Sequence, residues 1–332
     1  MKKFVSLFLA LLMSLACIGA MAEALPETNE LTIYHSNPTD WADPMIALFT
    51  EKTGIAVNVV TGSTGDLAAK IVAESANMQA DILWGGAPVT YSSIADYMQP
   101  YESSEIGNLM EYCIDKNHKW QGFDIAPHVI IYNTNLVTDE EAPKSWEDLL
   151  DEKWKGQISQ ADPTSSSTAL CISMIQLQAF GGEDGGYDYM TKFFNNLDGK
   201  ISASSANVYK MVAEGEFAIG VTYEFPVLDY IQSGQPVNII YPSEGTYCSP
   251  TAFAIIAGGP NQANAQKFVD FLQGSEIQSS LSSLLKRSIR TDLEPTDNML
   301  AMDLIPKMDY DEDWVAEHRS EFTDFWKDLV TG

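Results

Sequence analysis

The feature that most restricts this chain is a repeated alternation of short β-branched runs, turns and amphipathic segments with helical spacing. Residues 31–34, Leu-Thr-Ile-Tyr, predict a strand. Asp43-Pro44 reads as a helix N-cap followed by proline at the first helical position. Met45, Leu48 and Phe49 give that helix an apolar stripe, and Thr53-Gly54 ends it. A β-branched strand over 55–60, a Gly/Ser/Thr turn over 61–66, a helix over 67–75 and a strand over 80–84 follow. Strands alternating with helices imply a parallel sheet covered on both faces. The same grammar resumes with strands at 129–132, 157–159, 217–221 and 251–257. Between them lie a short helix at 146–150 and helices at 169–180 and 206–213, the last capped by Ser204-Ser205. Helices over 263–272, 276–285 and 314–329 close the chain. No repeat, low-complexity stretch or linker interrupts it, so two α/β regions must meet through strands and not through a tether.

Composition narrows the class. With 332 residues and 45% hydrophobic side chains, the chain can build one large or two ordinary cores. It carries 46 Asp+Glu against 19 Lys+Arg, a net charge of −27, which argues against nucleic acid and anionic lipid as partners. Four cysteines exclude a disulfide-built scaffold, and the mature set Cys113, Cys171 and Cys248 allows at most one bridge, its partners open, and reads most simply as three small buried residues. Residues 1–22 read as a secretory signal peptide: Met1-Lys2-Lys3, an apolar run over 4–18, and Ala20-Met21-Ala22 for cleavage. Lipoprotein anchoring through Cys17 fits less well, because Leu15 sits one place too close to it. No later run reaches the length of a membrane span.

In open parallel sheets, ligands bind at the carboxyl ends of strands, where loops enter helices. Five such ends carry hydroxyls, amides, aromatic rings or glycines: Tyr34-His35-Ser36-Asn37, residues 61–66, Trp84-Gly85-Gly86, residues 164–168, and Tyr223-Glu224. Free N–H groups and hydroxyls at helix starts suit an anion. No lysine or arginine lies in these loops, so neutral donors would hold it. Glu224 follows an apolar strand, where an idle acid would be costly. There is no Walker loop, dinucleotide fingerprint, zinc motif or nucleophile elbow.

The ordered set 31–34, 49–55 (Phe-Thr-Glu-Lys-Thr-Gly-Ile), Ala80-Asp81-Ile82 and 215–220 (Gly-Glu-Phe-Ala-Ile-Gly) resembles the solute-binding proteins of ABC importers, in the iron(III)-type group of the type 2 periplasmic-binding class. The resemblance implies an α/β fold of two Rossmann-like lobes with mixed, mainly parallel sheets joined by two crossover strands. Lobe one would hold 27–128 and 252–332, and lobe two 129–251. It further implies an extracytoplasmic protein, expected as a monomer without cofactor or catalysis, that closes on a small solute and serves a membrane permease. Iron-binding members use adjacent tyrosines after the strand at Val221, whereas this chain reads Thr222-Tyr223-Glu224. The chain therefore looks more like the branch that binds sugar phosphates or phosphonates. By that similarity Ser165, Ser166, Ser167 and Thr168 would hold the phosphorus group, with Ser36, Ser63, Thr64 and Gly86 closing over it. His35, Asn207 and Glu224 would read the rest of the solute. Three alternatives stand beside this reading: ferric iron on Tyr223 and Glu224, a polyamine caged by Trp84, Tyr91 and Glu224, and a hydrolase built on Ser63 and His35.

Overall fold

The computed structural model describes residues 28–202, 204–293 and 299–332; the expected signal peptide and Cys17 lie outside them. In chain order the strands are β1 (Glu30–His35), β2 (Ala56–Thr61), β3 (Ile82–Trp84), β4 (Met98–Gln99), β5 (Gln121–Asn133), β6 (Ile158–Ala161), β7 (Ile201–Ser202), β8 (Ile219–Tyr223), β9 (Val237–Ile240), β10 (Cys248–Ile256) and β11 (Arg287–Ser288). The helices are α1 (Thr39–Thr53), α2 (Thr64–Ala73), α3 (Pro88–Ser93), α4 (Ser167–Ala179), α5 (Gly186–Leu197), α6 (Ser205–Ala213), α7 (Glu224–Gln232), α8 (Gln262–Gln273), α9 (Ser275–Ser280) and α10 (Glu312–Thr331).

The strands run in the order β2-β1-β3-β10-β5-β8-β6-β7. Both flanks are parallel: β1 with β2 and β3, and β6 with β7 and β8. The centre is antiparallel, through β10 and β5. The 13-residue β5 is the structural link. Its first half pairs with β10 and β11, and its second half, from His128, pairs with β8 and β9. Residues 129–132 alone predict only that second half. The first half holds Gly122, Asp124 and Pro127, which break any apolar alternation, so pairing on two sides extends the strand.

Period-two packing is visible within β5. Ile130 and Tyr132 enter one core with Ile158, Ile172 and Phe193, while Val129 and Ile131 enter another with Val212 and Val227. On the β1 side, Ile33, Trp84 and Phe268 pack on one face of the sheet, and Leu67, Ile71 and Leu83 on the other.

Two expectations are corrected. Helix α1 starts at Thr39, which leaves Pro44 inside it. Burial of Trp41, stacked on Phe123 at 5.6 Å, holds the extra first turn despite the proline. The C-terminal helix α10 is not part of the first core. Its Val315, Phe322 and Trp326 pack with the residues of β5, β6 and α4. Asp311 caps it by accepting from Trp314 N–H at 2.9 Å. Cys113, Cys171 and Cys248 are all free and buried. Among the described residues no helix is long and apolar enough to cross a membrane.

Candidate functional site

A cleft of about 580 Å³ opens where helix starts meet the crossover strands. Helices α2, α4 and α6 begin on it. Ser63 caps α2, its Oγ accepting from Asp66 N–H at 3.2 Å, and Ser166 caps α4 by accepting from Ala169 N–H at 3.2 Å. Ser204 stands at the N-cap of α6. Hydroxyls join these starts into one network. Thr64 Oγ1 donates to Ser36 Oγ at 2.8 Å, Ser167 Oγ to Thr64 Oγ1 at 3.4 Å, and the Ser166 and Ser205 hydroxyls lie 2.6 Å apart. Gly86 sits against this network with φ of +83°. Backbone N–H groups at helix starts carry partial positive charge, so three of them on one cleft favour an anion.

The structure therefore brings together Ser36, Ser63, Thr64, Gly86, Ser165, Ser166, Ser167 and Thr168. The other expected residues fall outside the lining. His35 is fully buried beside Trp84, and among the described residues neither ring nitrogen has a hydrogen-bond partner. Burial lowers its pKa. Asn207 lies in the first turn of α6 but does not line the cleft, whereas Ala206 and Tyr209 on either side of it do. Glu224 is 1% exposed and ion-paired: Arg287 Nε donates to its Oε2 at 2.7 Å, and Nη2 to its Oε1 at 2.8 Å. Tyr241 also donates to Glu224.

These placements bear on the alternatives. Trp84 and Tyr91 are fully buried, and the Tyr91 hydroxyl donates to the Gly85 and Ala252 carbonyls, so the polyamine cage does not form. Ser63 donates to Asp66 at 2.7 Å, and His35 has no hydrogen-bond partner among the described residues, so these two do not form a nucleophile–base pair. Tyr223 does line the cleft, but burial pushes its phenol well above the usual range, and Glu224 is turned to Arg287.

Several lining residues were not legible as site residues. Lys286 reaches the cleft from the segment before β11, although the loops themselves lack cations. Its ammonium is paired with Asp124 and lies 4.2 Å from the Trp41 ring centroid and 3.6 Å from that of Phe225. Burial lowers its pKa, and Asp124 opposes that. His128 comes from β5, and Tyr209 from α6. Ser204 and Ser205 carried a signal, a helix cap at a strand end, but no assignment to the site.

His128 also sets a pH limit on the fold. Burial holds its pKa at about 4, against an ordinary value of 6.5. Below pH 6.5 the unfolded chain takes up a proton that the folded chain refuses. Stability from this residue is thus complete above pH 6.5 and lost as pH falls towards 4, by on the order of 3 kcal/mol. Urea unfolding at pH 7 and pH 4 should show a smaller loss in His128→Asn than in the parent. An equal loss in both proteins would contradict the assignment.

The residues over 94–303 match the model of the family described as bacterial extracellular solute-binding protein. The chain belongs to that family. Among curated members, a Salmonella typhimurium protein named "Putative 2-aminoethylphosphonate-binding periplasmic protein" is 25% identical over 290 residues, covering 86% of this chain and 84% of the relative. "Iron uptake protein A1" of a Synechocystis strain is 26% identical over 277 residues, covering 79% and 76%. Among solved structures, the periplasmic binding protein AfuA of Actinobacillus pleuropneumoniae, with fructose-6-phosphate bound, superposes with a TM-score of 0.84. It is 25% identical, over 91% of this chain and 98% of AfuA. Iron-bound HitA from Pseudomonas aeruginosa shares the fold at a TM-score of 0.79 and 21% identity, over 90% and 99% of the two chains. This solute-binding protein therefore has the type 2 periplasmic-binding fold.

Proposed function

We propose that the protein captures a small phosphorylated organic solute, a phosphonate or sugar phosphate, outside the cytoplasmic membrane and presents it to an ABC importer permease. The observation that carries this reading is the convergence of three helix starts on one cleft, α2 and α4 capped by the Ser63 and Ser166 hydroxyls and α6 entered at Ser204. The phosphorus group would sit on Ser165–Thr168 and Ser204-Ser205, with Ser36, Ser63 and Thr64 closing over it. A cleft of about 580 Å³ leaves room for an organic part besides. The hydrogen bond from Ser167 to Thr64 joins α4 to α2 across it, so the hinge would lie where β5 and β10 pass between the two sheet halves. The protein would act as a monomer exported by residues 1–22, with the two lobes divided near residues 128 and 252 and α10 attached to the second.

Thermal-shift and calorimetric titrations with 2-aminoethylphosphonate, fructose 6-phosphate and inorganic phosphate test this. At least one organic compound should raise the melting temperature by several degrees and bind more tightly than inorganic phosphate. No response to any organophosphorus compound would sink the reading. Ferric loading serves as the opposing arm, where a visible tyrosinate-to-iron absorption band would favour iron.

A further inference from the structure

The helix starts make one wall of the cleft, and the crossover strands make another. Register places the second wall: His128 pairs with Tyr223 across β5 and β8, and Ala126 with Ser249 across β5 and β10. His128 is 2% exposed yet lines the cleft. Its Nδ1 lies 3.0 Å from the Tyr247 carbonyl oxygen. A carbonyl can only accept, so Nδ1 carries the proton. In a neutral imidazole the other nitrogen is then a bare acceptor. Among the described residues no donor of the chain meets Nε2. Burial keeps the ring neutral down to about pH 4, so this tautomer persists at neutral pH.

We propose that His128 Nε2 is a specificity-determining acceptor, selecting solutes whose organic part carries a hydrogen-bond donor, an ammonium or a hydroxyl, over matched solutes that lack one. This rests on the phosphorylated-solute reading. A solute without the donor would strip water from Nε2 and leave its lone pair unpaired. A site built to pair a polar group rejects the analogue without it more strongly than an apolar site can. The residue is far from the hydroxyl network in sequence and serves the part of the solute that the helix starts do not reach.

The test uses 2-aminoethylphosphonate, 2-hydroxyethylphosphonate and ethylphosphonate, titrated calorimetrically into the intact mature protein and His128→Asn. The asparagine amide reproduces the Nδ1 donor to Tyr247 and removes the Nε2 acceptor. The parent should bind at least one substituted compound about tenfold more tightly than ethylphosphonate. In His128→Asn that ratio should fall to within about twofold, through weaker binding of the substituted compound and tighter binding of ethylphosphonate. The amino and hydroxyl arms identify which donor is read. A ratio unchanged in the variant would overturn the assignment to His128. Failure of all three compounds and of fructose 6-phosphate to bind the parent would overturn the phosphorylated-solute reading beneath it.

Discussion

Arg287→Ala is expected to lower the unfolding free energy by about 3–5 kcal/mol, a large share of the stability of an ordinary domain. Arg287 is bonded twice to Glu224, and its Nη2 also donates to the Leu300 carbonyl at 2.8 Å. Glu224 is 1% exposed, so removing the guanidinium leaves a carboxylate in the interior with Tyr241 as its remaining side-chain donor. The pair need not add net stability, because both ions were desolvated to form it; breaking it from one side is what costs. Glu224→Gln/Arg287→Met should therefore be more stable than Arg287→Ala alone. Urea midpoints at constant slope measure this, and a loss below about 1 kcal/mol for the single variant would refute the structural role. The same experiment separates a structural Glu224 from a solute-contacting one, since the double variant should retain solute affinity.

The second large effect falls on solute binding. A Cβ at Gly86 would lie 2.6 Å from Thr64 Oγ1 and Cγ2 and 2.8 Å from Ser167 Oγ, at a φ of +83° that disfavours any side chain. Thr64 and Ser167 begin α2 and α4, so Gly86→Ala must displace the two hydroxyls that stand at the helix starts that would hold the anion. The expected outcome is at least a hundredfold loss of affinity for whichever phosphonate or sugar phosphate stabilises the parent. Strain and overpacking should add a stability loss of about 1–3 kcal/mol. Thr64→Ser relieves the methyl clash, so in the Gly86→Ala background it should recover part of the affinity. Binding by Gly86→Ala within threefold of the parent would show that this junction does not form the site.

Much of the scaffold was legible because its signals are local. The β-branched runs at 31–34 and 55–60 became β1 and β2 to within a residue or two, and Gly54 ends α1 in the left-handed conformation its position predicts. The hydroxyl-rich run before α4 does cap that helix through Ser166 and does face the cleft. Where expectation and structure part, packing over long sequence distance is the cause. Pro44 looked like a helix start, but burial of Trp41 carried the helix further back. The tail after residue 311 follows β10, α8 and α9 in sequence, yet Trp326 is buried with residues of β5, β6 and α4.

The site divides in the same way. Sequence alone determined that hydroxyls and glycines stand at strand ends before helices, since capping and turn preferences depend on a few adjacent residues. It also marked Glu224 as an acid too buried to be idle. Only the tertiary structure decided that Arg287 satisfies that acid, that His35 lies behind the cleft and not in it, and that Lys286 and His128 complete its wall. The physical reason is that a charge or a ring nitrogen takes its meaning from its partners. Here those partners are brought within bonding distance by strand register and chain reversal, which no local pattern encodes.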